Sequence, residues 1–346
     1  MTVYLCTIGC VDPFNAQVTE QRNEIVVQGM ITDLPPPYTV TISETSNYSR
    51  NISGFTTFVS QATVMVCDDL GTCIPFYELS KGKYETTASA PMGAPGRYYH
   101  VEIETKDGRR IESVPELLKA SPEIAKVYSE YDIASVQREG FQVYADTQDP
   151  AGENNFYRWE TIGYFPYSEK CFYVIPGSNT LFVDSDKNRD GKVISRVHLR
   201  DVAFNRRDYY VVEVYQYALS GDAFQFFNRI KNQSASTGSI FDPPPTFIDG
   251  NMRSINSDES VLGYFVAAGA SKKGVAINRA IEALTPVPRS KDLALDPCYC
   301  GTTCPQSCGP FNPCLCGTAP CPPECHSIPG LTSVAPEAWP LAHNPC

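Results

Sequence analysis

The chain has 346 residues, 42% of them hydrophobic and 19% charged, with a formal net charge of -11. That length allows two domains with separate cores. An acidic chain without a basic run excludes strong nucleic-acid binding, which needs clustered Lys and Arg against phosphates. No apolar run of about 18 residues is present to form a membrane-spanning helix. The 28 Pro, 23 Gly, 20 Tyr and 17 Phe suit many short strands joined by turns.

The opening MTVYLCTIGC ends in Ile8-Gly9-Cys10. A small residue before a cysteine, after an apolar stretch, matches the cleavage site of a bacterial lipoprotein, whose cysteine is lipidated. There is no positive n-region, and nine residues are short for a whole signal. Residues 1–22 are therefore read as a truncated lipoprotein signal and polar tether, with Cys10 as the lipidation residue. The alternative is a cytosolic start with two chance cysteines.

From Asn23 the pattern turns strand-like. NEIVVQGMIT, PYTVTISET, ATVMVCDD, CIPFYEL, GKYETTA and RYYHVEIETK are runs of Val, Ile, Thr and Tyr bounded by Pro, Gly, Asn and Asp. EIETKDGRRIES predicts a hairpin turning at Asp107-Gly108. Cys67 and Cys73 flank the turn in VCDDLGTC and are placed to close a second hairpin. His100, inside YYHVEI, reads as a strand residue rather than a general base. Residues 23–118 are expected to form an immunoglobulin-like β-sandwich.

Residues 119–290 are expected to form a second β-sandwich. GFQVYADT and NFYRWETIGYF flank a turn at Asp149-Pro150-Ala151-Gly152, and CFYVIPG, DYYVVEVYQYAL and VLGYFVAAG read as further strands. SGDAFQFFNRIKNQS predicts one inserted helix. Ser220 would cap it, with Ala223, Phe224, Phe227 and Ile230 on one face and Phe226 pointing elsewhere. The prolines of SIFDPPPTFIDGN predict an extended strap.

Two stretches here suggest ligands. In VDSDKNRDGKVI, Asp186, Asn188, Asp190 and Gly191 fit the start of a calcium loop, with Asp184 as a substitute oxygen donor. The twelfth position, usually an acid, is Val197, so a hairpin with a polar tip is the competing reading. In RWETIGYFPYSEKCFYV, Trp159, Tyr164, Phe165 and Tyr167 offer an aromatic rim for sugars or a partner protein; core packing is the alternative.

Residues 291–346 form a Cys-rich tail containing Cys298, Cys300, Cys304, Cys308, Cys314, Cys316, Cys321, Cys325 and Cys346. Its C-x-C, C-x3-C and C-x5-C spacings differ from the C-x2-C pairs of a zinc ribbon, and C-x-x-C redox pairs are absent. With Cys6 and Cys10 set aside, an even number of cysteines remains, and Cys171 is left as an outside partner for the tail. Disulfides in an oxidising compartment are the reading preferred here, as a staple for an irregular segment poor in large apolar residues. A metal site and free thiols are the alternatives.

The chain contains no G-x-S-x-G elbow, H-E-x-x-H pair or phosphate-binding Gly loop, so no catalytic residues and no cofactor beyond calcium are expected. Several segments together resemble a family of Bacteroidota outer-membrane lipoproteins defined as domain of unknown function 4249. They are GCVDPF, NEIVVQGMITDLPPPYTVTISET, GRYYHVEIETKDGRRIES, SIFDPPPTFIDGN with VLGYFVAAG, and CHSIPGLTSVAPEAWP. The incomplete signal and the longer, Cys-richer tail depart from the family pattern. The resemblance implies a lipid-anchored protein of the outer membrane, on the cell surface, with the periplasmic face as the alternative. It further implies a non-enzymatic accessory subunit of a TonB-dependent transporter or another outer-membrane β-barrel complex, in nutrient uptake or envelope assembly. Only Cys10 carries over as a functional residue. A free-standing surface binder of glycan or peptide, marked by an open aromatic cleft around Trp159 to Tyr167, is the first alternative. A hydrolase, marked by two carboxyl groups about 5–10 Å apart in a deep pocket, is the second.

Overall fold

The computed structural model describes residues 23–45, 57–132, 140–152, 154–168, 171–177, 181–185, 189–203, 209–234, 248–278, 331–332 and 335–339. Among the described residues the protein is mostly β, built as two sandwich-like units with one helix.

The first unit follows from period-2 alternation, which turns every second side chain to one face. It begins with β1 (Ile25–Thr32), β2 (Thr39–Glu44), β3 (Thr57–Phe58) and β4 (Thr63–Asp68). β5 (Cys73–Ser80), β6 (Lys83–Glu85), β7 (Tyr98–Glu104), β8 (Arg110–Ser113) and β9 (Glu116–Leu117) follow. Val40 and Ile42 from β2, Val64 and Val66 from β4, and Tyr99, Val101 and Ile103 from β7 enter one core. β5 links the layers, pairing with β4 through Ile74 and Phe76 and then with β6 from Tyr77 onward. The β7–β8 hairpin turns at Gly108, whose φ of +87° suits glycine.

Cys67 and Cys73 face each other across β4 and β5 and are joined as a disulfide. A loop this short closes with modest entropy, so the Cys67→Ala/Cys73→Ala double variant is expected to lose about 2 kcal/mol. A shift in the denaturant midpoint reads this directly; an unchanged midpoint would show that the bridge contributes nothing.

The second unit contains β10 (Ile124–Asp132), β11 (Gly140–Gln148), β12 (Asn155–Ser168), β13 (Cys171–Pro176), β14 (Leu181–Ser185), β15 (Val193–Ala203) and β16 (Tyr209–Leu219). After α1 (Gly221–Ser234) come β17 (Met252–Ser254), β18 (Val261–Asn278) and β19 (Leu331–Thr332). The three-stranded sheet β10-β11-β15 packs against a sheet ordered β18-β16-β12-β13-β19. Phe141, Val143, Tyr157, Trp159, Val212, Val214 and Ile277 fill the space between.

Two later strands return to the first unit. β17 pairs with β8, and the first half of β18 pairs in parallel with β1, from Ile25↔Val261 to Thr32↔Ala268. Met252, Phe265 and Ala267 belong to the first core. The second half of β18 pairs antiparallel with β16, from Ala218↔Gly269 to Tyr209↔Asn278. One 18-residue strand thus runs through both units. Alternation identifies a strand without identifying its partner, so this return of β17 and β18 to the first unit is not legible in the sequence.

The helix also needs one correction. Ser220 Oγ accepts the Ala223 N–H at 3.1 Å, a side-chain cap as expected. The seated aromatic, however, is Phe226, buried against Tyr264, while Ile230 lies at the exposed edge. The outer faces of β16 and β18 set the buried stripe at Ala223 and Phe226, with Phe227 beside them.

Part of the predicted irregular tail is ordered against the second unit. β19 pairs with β13, Trp339 meets Phe172 edge-to-face, and the Glu337 N–H donates to Glu213 Oε1 at 3.1 Å. The tail cysteines Cys298 to Cys325 and Cys346, the proline strap and Cys10 lie outside the described residues, as does the Cys171 side chain.

Candidate functional site

The aromatic-rim reading does not survive the geometry of β12. Trp159 is 1% exposed and lies in the second core, against which Phe165 also packs. Tyr164 turns to the opposite face, where its hydroxyl donates to Glu213 Oε2 at 3.1 Å. Strand alternation splits these residues between two faces, so they form no common cleft. Tyr167 is on β12, with its side chain outside the described residues.

At the predicted calcium loop, Asp190 Oδ1 accepts the Gly152 N–H at 2.8 Å. The Asp149 N–H donates to Lys192 O at 3.0 Å, and Asp149 Oδ1 accepts the Tyr157 hydroxyl at 2.7 Å. The described part of the loop is therefore a turn locked onto the Asp149–Gly152 turn, and it occupies one Asp190 oxygen. Asp186, Asn188 and the Asp184 side chain lie outside the described residues.

One group of metal-type donors is compact: Cys67, His100 and Glu102 lie within 4.8 Å of one another. Cys67 is oxidised and has no thiolate to offer. His100 Nε2 is 3.1 Å from Glu102 Oε1, a side-chain pairing on the strand.

The residue sequence reasoning missed is Glu116. It lies on β9, 6% exposed, where β9, β18 and the start of α1 meet. Three local features build this place. Asn251 acts as a pseudo-strand, donating from Nδ2 to Phe265 O at 2.8 Å and accepting the Phe265 N–H at 2.9 Å. Ser220 starts the helix, and Asp222 in its first turn complements the helix dipole. Phe226 and Tyr264 pack their rings 4.9 Å apart.

Glu116 Oε1 accepts the Tyr264 hydroxyl and, at 3.5 Å, the Asn251 amide. Oε2 is buried without a hydrogen bond, although the Ser220 hydroxyl approaches the same carboxyl. Burial raises the Glu116 pKa above the usual carboxylate range, and the Asp222 charge adds to this; the hydroxyls of Tyr264 and Ser220 and the Asn251 amide oppose it. Burial, followed by the Glu116 carboxyl, raises the Tyr264 phenol. Glu116 is among the residues around a cavity of about 260 Å³, with Asp222, Asp249, Arg229, Phe226 and Tyr264. A carboxyl in this state can hold a proton at unusually high pH or accept a cationic donor. In sequence it is one acid in SVPELLK, with no motif around it.

The fold and site define a class: a two-unit β protein spliced by one long strand, with a buried acid at the splice. The chain belongs to the family "Domain of unknown function (DUF4249)", whose model matches residues 11–274. No curated protein matches it. A solved DUF4785 family protein from Legionella pneumophila aligns at 12% identity over 56% of this chain, with a TM-score of 0.20. This chain covers 52% of that protein, about half its length.

Proposed function

We propose that this protein is a non-enzymatic lipoprotein, anchored through Cys10 at the surface of the outer membrane. It serves as accessory subunit to a TonB-dependent transporter or another barrel complex. The observation that carries this reading is β18. Its first residue, Val261, pairs with Ile25, three residues after the segment read from sequence as the tether, and the strand then continues through both units. Eighteen residues at roughly 3.3 Å each reach about 60 Å. A chain anchored at Cys10 would carry its second unit that far from the bilayer on a continuous strand, placing loops and strand edges beside a barrel's external loops. The lipid supplies membrane residence.

The test is purification of the tagged full-length protein from its own outer membrane in mild detergent, with mass spectrometry of co-purifying proteins. A stoichiometric β-barrel is expected. Lipidated protein arriving alone, under conditions that keep known barrel complexes intact, would overturn the reading.

A further inference from the structure

The hairpin of β4 and β5 carries more donor chemistry than its disulfide uses. β4 lies between β5 and β7, and the two ladders set one register line across three strands, Cys73↔Cys67↔His100. Val66 and Val101, next to Cys67 and His100, point into the first core. Alternation therefore turns Cys67 and His100 to the opposite face, and Glu102, two residues along β7, joins them there. The Cys67 sulfur, a His100 ring nitrogen and a Glu102 carboxylate oxygen lie within 4.8 Å of one another. Cys73 Sγ, bonded to Cys67 Sγ, brings a fourth donor to the same place.

The backbone holds this arrangement without help from the sulfur–sulfur bond. Asp68 Oδ1 accepts the Leu70 and Thr72 N–H groups at 2.9 and 2.8 Å, closing the turn that returns β5 beside β4. Arg97 holds Asp68 Oδ2 at 2.9 Å. Val64, Val66, Ile74 and Phe76 bury the inner face of the hairpin. Opening the disulfide therefore leaves both thiols beside His100 and Glu102. Two thiolates, an imidazole and a carboxylate are the ligand types of tetrahedral zinc. Such ligands sit about 3.3–3.8 Å apart when each is about 2.0–2.3 Å from the ion. His100 Nε2 and Glu102 Oε1, 3.1 Å apart, are already close to that spacing, and side-chain rotation brings the sulfurs to it. Calcium and magnesium, which take oxygen ligands, do not suit a sulfur pair.

We infer that Cys67, Cys73, His100 and Glu102 form a zinc site in the reduced protein, and that the disulfide closes it. The chain has this form before its disulfide is made, and exchange with a dithiol regenerates it. The dithiol passes two electrons to the Cys67–Cys73 bond, is itself oxidised to a disulfide, and leaves its two protons on the protein thiols. Cys73 is exposed whereas Cys67 is 3% exposed, so the attack comes from the Cys73 side. Zinc then displaces both protons. Two thiolates, the Glu102 carboxylate and neutral His100 leave the centre with one net negative charge. Reoxidation by a disulfide donor takes the two electrons back, rebuilds the bond and removes both sulfur ligands at once. The hairpin is thus cross-linked by its disulfide in oxidising surroundings and by metal in reducing ones.

The test is zinc titration of the full-length protein against a competing chelator, before and after reduction with a phosphine. Reduced wild type is expected to bind one zinc ion more than the reduced Cys67→Ser/Cys73→Ser variant, a comparison that subtracts metal held by the other cysteines. Cobalt, used as a spectroscopic probe, should show sulfur-to-metal charge transfer and tetrahedral d–d bands in the same difference. Oxidised wild type should lack the extra ion. His100→Gln and Glu102→Gln, on the outer face of β7, leave the hairpin cross-link untouched. Each is expected to weaken the extra ion at least about 10-fold, since even groups behind a metal's ligands cost that much when removed. Circular dichroism checks that the Ser variant is folded. Equal zinc stoichiometry in reduced wild type and the folded Ser variant would overturn the inference. So would unchanged zinc affinity in both His100→Gln and Glu102→Gln, which would mean that two thiols chelate metal without a built site.

Discussion

Trp159→Ala is expected to destabilise the second unit by about 3–5 kcal/mol, the usual range for emptying a large aromatic site in a core. Trp159 is 1% exposed, between the two sheets of that unit, and among the largest fully buried side chains. Its neighbours lie on separate strands, including Phe141 and Val143 of β11 and Val212 and Val214 of β16. Collapse around the vacancy would require strands from both sheets to shift together, so a cavity should persist. The indole Nε1 is buried without an acceptor, so the residue contributes volume rather than a hydrogen bond. Trp159→Phe keeps much of that volume and removes the unmet N–H, so it should cost less than half as much. Chemical denaturation of both variants checks the ordering. A loss below about 1 kcal/mol for Trp159→Ala, together with lost binding to a glycan or peptide, would restore the aromatic-platform reading.

This residue also shows where the sequence was legible. RWETIGYF announces a strand by composition, and β12 is there. The chemical appeal of four nearby aromatics misled because proximity in sequence ignores the two faces of a strand. Local chemistry was readable where a feature is complete within a few residues. Asp107-Gly108 produces its hairpin, Cys67 and Cys73 sit opposite each other across a short turn, and Ser220 caps its helix. Features requiring distant partners were not readable. The buried face of α1 is set by Tyr264 and Val266 on β18, so the helix's own pattern chose Ile230 where the packing chose Phe226. Glu116 became a site only through Asn251, Tyr264 and the helix start, which are remote in sequence. β18 was recognised only in part, as VLGYFVAAG, because Ser271-Lys272-Lys273 looks like a loop. Those lysines are accommodated by Lys273 Nζ donating to Ile124 O and Ala125 O, while Lys272 Nζ lies 3.5 Å from Glu213 Oε1.

Gly263→Ala is expected to break the splice between the two units. Gly263 pairs with Val27 in the parallel β1–β18 ladder and has a φ of +102°, a conformation L side chains rarely adopt. An added Cβ would lie 1.9 Å from Val27 O, a backbone atom that cannot rotate away. The opposite side is equally tight, since a Cβ on Gly250 would lie 1.6 Å from Gly263 O. Positive-φ strain alone costs on the order of 1–3 kcal/mol, and relieving the clash requires separating paired backbones. The combined loss should exceed about 4 kcal/mol, within the exceptional range for a single substitution. Gly96 is the control: its φ is +85°, but an added Cβ meets nothing within 4 Å. Gly96→Ala should therefore cost only about 1 kcal/mol, the backbone term without the clash. Hydrogen exchange locates the damage. In Gly263→Ala, protection should fall in β1, β17 and the first half of β18, while β11, β12 and β16 keep theirs because the second core has its own residues. Uniform loss across both units would mean that the strand couples their folding as well as their positions. The proposed accessory role depends on that join: a variant with its second unit intact but its first unit frayed should remain lipidated yet fail to retain a barrel partner.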